Sequence, residues 1–186
     1  MSLNNSKWSH RFIFVGILQF IAIGVLTVFV VLSHLGPTPP LSTIMTYTMS
    51  EFNPGLWYAF GYHSYILGSI GVLVFGFVYR YVEKTSNRPY TKLTGFLAGF
   101  HLVFMNVGLV IATSSLMVAG WIAGIAMLPE SYSGKGLDTG TVHNEVFMTM
   151  VPLGIPHWVG IWILIMSVGI IAGSVGLLVG LTKNRS

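Results

Sequence analysis

Residues 12–33 read FIFVGILQFIAIGVLTVFVVLS. No Asp, Glu, Lys or Arg interrupts them, and Gln19 is the most polar side chain among them. About 20 apolar residues, at about 1.5 Å of helical rise each, cover the roughly 30 Å of hydrocarbon in a bilayer. Three further runs match this one, at about 57–82, 93–128 and 157–181. The third is long enough to tilt or to project beyond the bilayer. The expected architecture is therefore all-α: an integral membrane four-helix bundle forming a single domain over residues 1–186. The first run is too long for a signal-peptide core and no small-residue cleavage site follows it, so it is expected to be a retained helix.

Composition agrees. The chain is 53% hydrophobic and 8% charged, whereas soluble domains carry about 25% charged residues. Mean hydropathy is +0.75. Cysteine is absent, which excludes disulfides, thiolate catalysis, iron–sulfur clusters and Cys-based zinc sites.

The net charge of +4 has a topological origin. Lys7 and Arg11 precede the first run. Arg80, Lys84, Arg88 and Lys92 surround the short connection EKTSNRPYTK, and Lys183 and Arg185 follow the fourth run. Lys135 alone lies in the other connections, which hold Glu51, Glu130, Asp138 and Glu145. The positive-inside rule then places both termini on the cytoplasmic side, and no nucleic-acid partner is needed to explain the basic excess. Trp57, Tyr58 and Trp158 at the outer boundary, with Tyr79 and Tyr81 at the inner one, are placed as an aromatic belt would be. Residues 34–56 contain GPTPPLS, whose prolines preclude regular helix. Residues 129–156 form a polar, Gly-rich connection, and Pro152 and Pro156 lead into the last helix.

Small residues recur at helical spacing: Gly61, Ser64, Gly68 and Gly71; Gly108, Ala112, Ser115 and Ala119; Gly169, Gly173, Gly176 and Gly180. Lipid tails are as apolar as leucine, so close packing must drive helix association, and small residues allow it. The seams either hold this bundle together or also receive helices of other chains.

Two histidines fall inside the runs. His63 lies about 10 Å below the outer edge of the second, at about 1.5 Å per residue. His101 lies near the inner edge of the third, on its small-residue seam. An ionisable residue at such depth is a functional candidate by default. The depths differ, so the pair is poorly placed to ligate one haem; His101 is expected to be packed and hydrogen-bonded. Gln19 and Asn106 are expected to hydrogen-bond between helices. In the outer half, His34 and His143 combine with Met45, Met49, Met148 and Met150 into a donor set of imidazoles and thioethers, which suits copper. No spacing among them is diagnostic.

From His63 onward the sequence resembles the C-terminal part of the haem-copper oxidase catalytic subunit, and is most similar to the C-type cytochrome oxidases and nitric oxide reductases. HSYILGSIG (63–71) resembles the family's tenth helix. LVFGFVYRYV and NRPYTKL follow it, HLVFMNVGLVIATSSLMVAGWIAG (101–124) resembles the eleventh, and PHWVGIWILIMSVGIIAG (156–173) the start of the twelfth. In that family the tenth helix carries an H-x-H pair, the first histidine for the high-spin haem and the second for the low-spin haem. Here the pair reads Gly61-Tyr62-His63. The resemblance therefore carries over only a low-spin haem b role, and only to His63: either the ring keeps that role, with the second axial ligand supplied by a partner chain, or it is a vestigial, hydrogen-bonded histidine.

The expectation is a non-catalytic subunit of a larger membrane oxidoreductase complex, a respiratory one in view of the resemblance, in a prokaryotic cytoplasmic membrane or an organelle inner membrane. A second reading is a split oxidase or nitric oxide reductase catalytic subunit whose His63 holds low-spin haem. A third is a copper-handling or assembly protein, or an accessory subunit of a copper membrane monooxygenase.

Overall fold

The computed structural model describes residues 7–35, 56–85, 90–132 and 134–182. It is all-α. The long helices are α1 (Lys7–Leu35), α2 (Leu56–Thr85), α3 (Lys92–Met127) and α5 (Gly154–Thr182). Between α3 and α5 lie a 3₁₀ turn (Glu130–Tyr132), the short α4 (Thr139–Val142) and one π-helical turn (His143–Phe147). Four helices are long and apolar enough to cross a membrane, which marks an integral membrane protein. Large apolar side chains stand exposed along them, Phe14, Val25, Leu67, Leu164 and Ile171 among them. A helix apolar on its outward face as well as its inward one is suited to hydrocarbon.

Helix ends have identifiable partners. Glu83, near the end of α2, accepts from the first-turn amides of Trp8 (3.1 Å) and Ser9 (3.4 Å) through Oε1. A carboxylate there satisfies orphan N–H groups and complements the helix dipole. Thr91 caps α3, its hydroxyl accepting from Thr94 N at 3.3 Å. The Gly-rich connection after α3 folds back on it: Lys135 N and Leu137 N donate to Ala126 O, and Gly136 N to Leu128 O. Asp138 caps α4 by accepting from Gly140 N (2.9 Å), Thr141 N (3.0 Å) and the Thr141 hydroxyl (2.6 Å). Pro156 lies in the first turn of α5, where its missing N–H costs nothing.

The chain divides into two compact units. Unit 1 comprises Met1–Ile21, Leu67–Leu109 and Ile163–Ser186. Its buried residues include Phe12, Val72, Tyr79, His101, Met105 and Leu177. A Cβ at Gly76 would fall 2.8 Å from Ile13 Cγ1, and one at Gly169 would fall 2.8 Å from Phe104 Cβ. Gly173 lies directly against the His101 ring, and Gly176 against Leu97. The α5 seam is thus filled from within the same chain, by α3 at Gly169, Gly173 and Gly176 and by Val82 of α2 at Gly180. Gln19 Nε2 donates to Asn106 Oδ1 at 2.7 Å, and Asn106 Nδ2 donates to its own helix at Leu102 O. This is the interhelical bond expected of that pair.

Unit 2 comprises Ala22–Ile66 and Val110–Trp162. One cluster joins Ala112, Ala119, Ala123 and Ala126 of α3 to Val142, Val146, Phe147, Ile155 and Val159. Another sets Tyr58 and Met117 among Leu26, Val30, Tyr62 and Trp121. Trp158 Nε1 donates to Ser115 Oγ at 3.2 Å. The small positions of α3 therefore also serve this chain's own packing. Two expected belt residues are core residues instead: Tyr58 is 6% exposed and Tyr79 1% exposed, whereas Tyr81 is 65% exposed.

Candidate functional site

α2 presents Gly61, Tyr62 and His63 on three different sides, because successive helical residues are about 100° apart at 3.6 per turn. Gly61 is buried against α3. A Cβ there would meet Thr113 O at 2.6 Å and Met117 N at 2.9 Å, both backbone atoms. Tyr62 reaches α1, its hydroxyl 2.5 Å from Thr27 Oγ1. His63 is exposed.

The His63 ring is oriented by its own helix. Nδ1 lies 2.8 Å from the Ala59 carbonyl, and a carbonyl only accepts, so Nδ1 carries the hydrogen. In the neutral ring the lone pair then sits on Nε2. Iron- and zinc-ligating imidazoles are commonly held this way, one nitrogen on a backbone carbonyl and the other on the metal. The donor set of this chain fits one axial position of a haem at His63; a second ligand would have to come from elsewhere.

The residues expected to compose an outer copper site are only partly described. Met45 and Met49 lie outside the described residues, as does the side chain of His34. Met148 and Met150 are exposed, with the Met148 sulfur close to Gly154. His143 is exposed and stacks on Phe147, ring centroids 6.0 Å apart. Among the described residues no group of three or more His, Asp or Glu could hold a metal ion.

His101 differs from the other described histidine side chains in being fully buried. It packs between Phe12 of α1 (centroids 4.9 Å) and Phe75 of α2 (4.4 Å, near-perpendicular), with Gly173 of α5 beneath it. The Tyr79 hydroxyl lies 3.2 Å from its Nδ1. Beyond Tyr79 stand Tyr90, ring centroids 6.4 Å apart, and Glu83, one turn along α2. Burial, followed by the nearby Glu83 and Tyr79, holds the Tyr90 phenol well above its ordinary range. Sequence reasoning placed Tyr79 in a belt and passed over Glu83 and Tyr90. The available signal was Glu83, the one acid in an otherwise basic end.

No protein-family model matches the chain, and neither the curated proteins nor the solved structures contain a significant match.

Proposed function

We propose that this chain is a non-catalytic subunit of a larger membrane oxidoreductase complex, related to the tail of a haem-copper oxidase catalytic subunit. The carrying observation is the pairing of a sealed Gly61 with an exposed His63. By that resemblance, position 61 is where the high-spin haem ligand would stand, and α3 backbone fills the space a side chain would need. Oxygen or nitric oxide chemistry then belongs to residues of other chains. The exposed apolar helix faces supply the contact with lipid and with neighbouring membrane subunits; no nucleic acid is involved. In this reading both termini are cytoplasmic, and the membrane is a prokaryotic cytoplasmic or organelle inner membrane bearing a respiratory chain.

The test is purification of the tagged chain from its native membrane in mild detergent, with identification of co-purifying subunits. Stoichiometric recovery with a membrane oxidoreductase is expected. A solitary chain that turns over oxygen or nitric oxide overturns the reading.

The Nδ1–Ala59 bond favours a second reading, in which His63 Nε2 completes a low-spin haem b held mainly by a partner. Haem there would supply one-electron transfer; His63 would orient and ligate it. A Soret band in the complex that His63→Ala abolishes would support this version, and an unchanged band would exclude it. For copper, the exposed Met148, Met150 and His143 offer no comparable preorganisation.

A further inference from the structure

Among the described residues of unit 1, four buried polar atoms have no hydrogen-bond partner: Gln19 Oε1, Glu83 Oε2, Tyr90 Oη and His101 Nε2. An unsatisfied buried donor or acceptor costs about 1–3 kcal/mol, so each requires an explanation. Gln19 belongs to the amide pair with Asn106; the other three lie round one residue. Tyr79 stands among them, its hydroxyl 3.2 Å from His101 Nδ1 and its ring 5.9 Å from the His101 ring and 6.4 Å from that of Tyr90. Glu83 follows Tyr79 by four residues on the same helix, so both lie on one face. Its Oε1 is engaged with Trp8 and Ser9, while Oε2 is not. Glu83 also lies at the basic end, beside the exposed Lys84. His101 is about 14 Å from the start of α3, at about 1.5 Å per residue.

We propose that His101 is a buried proton-binding site, loaded from the basic end through Glu83, Tyr90 and Tyr79. The unpartnered atoms are where bridging waters would bond, since a buried water needs two to four polar partners. In the transfer, the Glu83 carboxylate takes up a proton from solvent at the basic end and releases it toward Tyr90, ending as carboxylate again. Tyr79 passes its hydroxyl proton to His101 Nδ1 and takes a replacement from the Tyr90 side. The phenols end unchanged and the imidazole ends as imidazolium. Among the described residues no other ionisable group stands at the ring. α1 offers it Phe12, with Arg11 and His10 exposed; α2 offers Phe75 and Tyr79, with Arg80 exposed; α5 offers Gly173. The nearest ionisable residue on α3 itself is Lys92, exposed at its start. α5 carries a single ionisable side chain, His157, in its first turn.

The test uses the full chain in lipid nanodiscs with ¹³C,¹⁵N-histidine, and His101→Gln to assign the ring signals. The expected result is a His101 ring that titrates reversibly with bulk pH. Its solvent exchange should slow about tenfold or more in Glu83→Gln and in Tyr79→Phe, as a blocked route and not an unfolding event predicts. Glu83→Gln keeps an oxygen for the α1 amides, so α1 retains its cap. Exchange unchanged in both variants overturns the proposal. So does a wild-type ring that holds one protonation state from about pH 4 to 9 and exchanges only on global unfolding. That outcome would mean a sealed imidazole packed near-perpendicular to the Phe75 ring.

Discussion

Tyr79 and His101 meet across α2 and α3, phenol oxygen to imidazole Nδ1, at 3.2 Å and away from solvent. Both residues are essentially inaccessible. Deleting the hydroxyl leaves the second ring nitrogen without a partner as well. Tyr79→Phe is therefore expected to lower stability by about 1–3 kcal/mol. Reversible unfolding in mixed detergent micelles would measure it. A loss near zero would mean that the bond is replaced by water on mutation.

Gly61 tests the closeness of α2 and α3 in unit 2. Its absent side chain lets Thr113 O and Met117 N approach within 3 Å of where a Cβ would be. Both are backbone atoms and cannot rotate away. Gly61→Ala is expected to cost about 1–3 kcal/mol by overpacking. Gly61→His, which would restore a ligand pair, is expected to fail to fold before it binds any haem. Size-exclusion profile and helicity in detergent would report both. A well-folded Gly61→His chain with a new haem band would refute this.

Gln19 and Asn106 share a 2.7 Å bond within unit 1. Interhelical polar bonds in membranes contribute about 0.6–2 kcal/mol. A double-mutant cycle with Gln19→Leu and Asn106→Leu should return a coupling in that range. A coupling of zero would show that each amide finds another partner once its companion is gone.

Asp138 supplies the pH-sensitive element outside the membrane spans. Its carboxyl is held below the usual carboxylate range, first by the Thr141 hydroxyl and then by the Thr141 amide. A depressed folded value means that the stabilisation is fully present above the unfolded value of about 3.9. It is lost as pH falls through the lower folded value. The amides of Gly140 and Thr141 should thus keep native chemical shifts at neutral pH and lose them only in acid. Asp138→Asn, which keeps an acceptor, should remove the pH dependence. A transition near neutrality would contradict the assignment.

Much of the fold was legible because bilayer thickness is written locally, as apolar length. The ends were less so. α1 begins at Lys7, ahead of the apolar run at Phe12, because its first turn is capped by Glu83 from far along the chain. The short helices between Glu130 and Phe147 were hidden in a polar stretch. Their burial depends on Val142, Val146 and Phe147 meeting α3 and α5. Tyr79 and Tyr58 were misplaced because a helix apolar all round does not declare which face is inside. His101 was readable from its place on the small-residue seam. The exposure of His63 and the sealing of Gly61 were not, since both depend on which helix lies beside α2.

The carboxylate of Glu83 closes the first turn of α1 from more than seventy residues away in sequence. During synthesis α1 leaves the ribosome long before that side chain exists. Its leading amides therefore wait on water or lipid headgroups until the second crossing has been threaded. Biogenesis of the α1–α2 hairpin is consequently ordered: traverse, return, then fasten. A change at Glu83 would reveal itself first in newly made protein, as a leading turn of α1 that never settles.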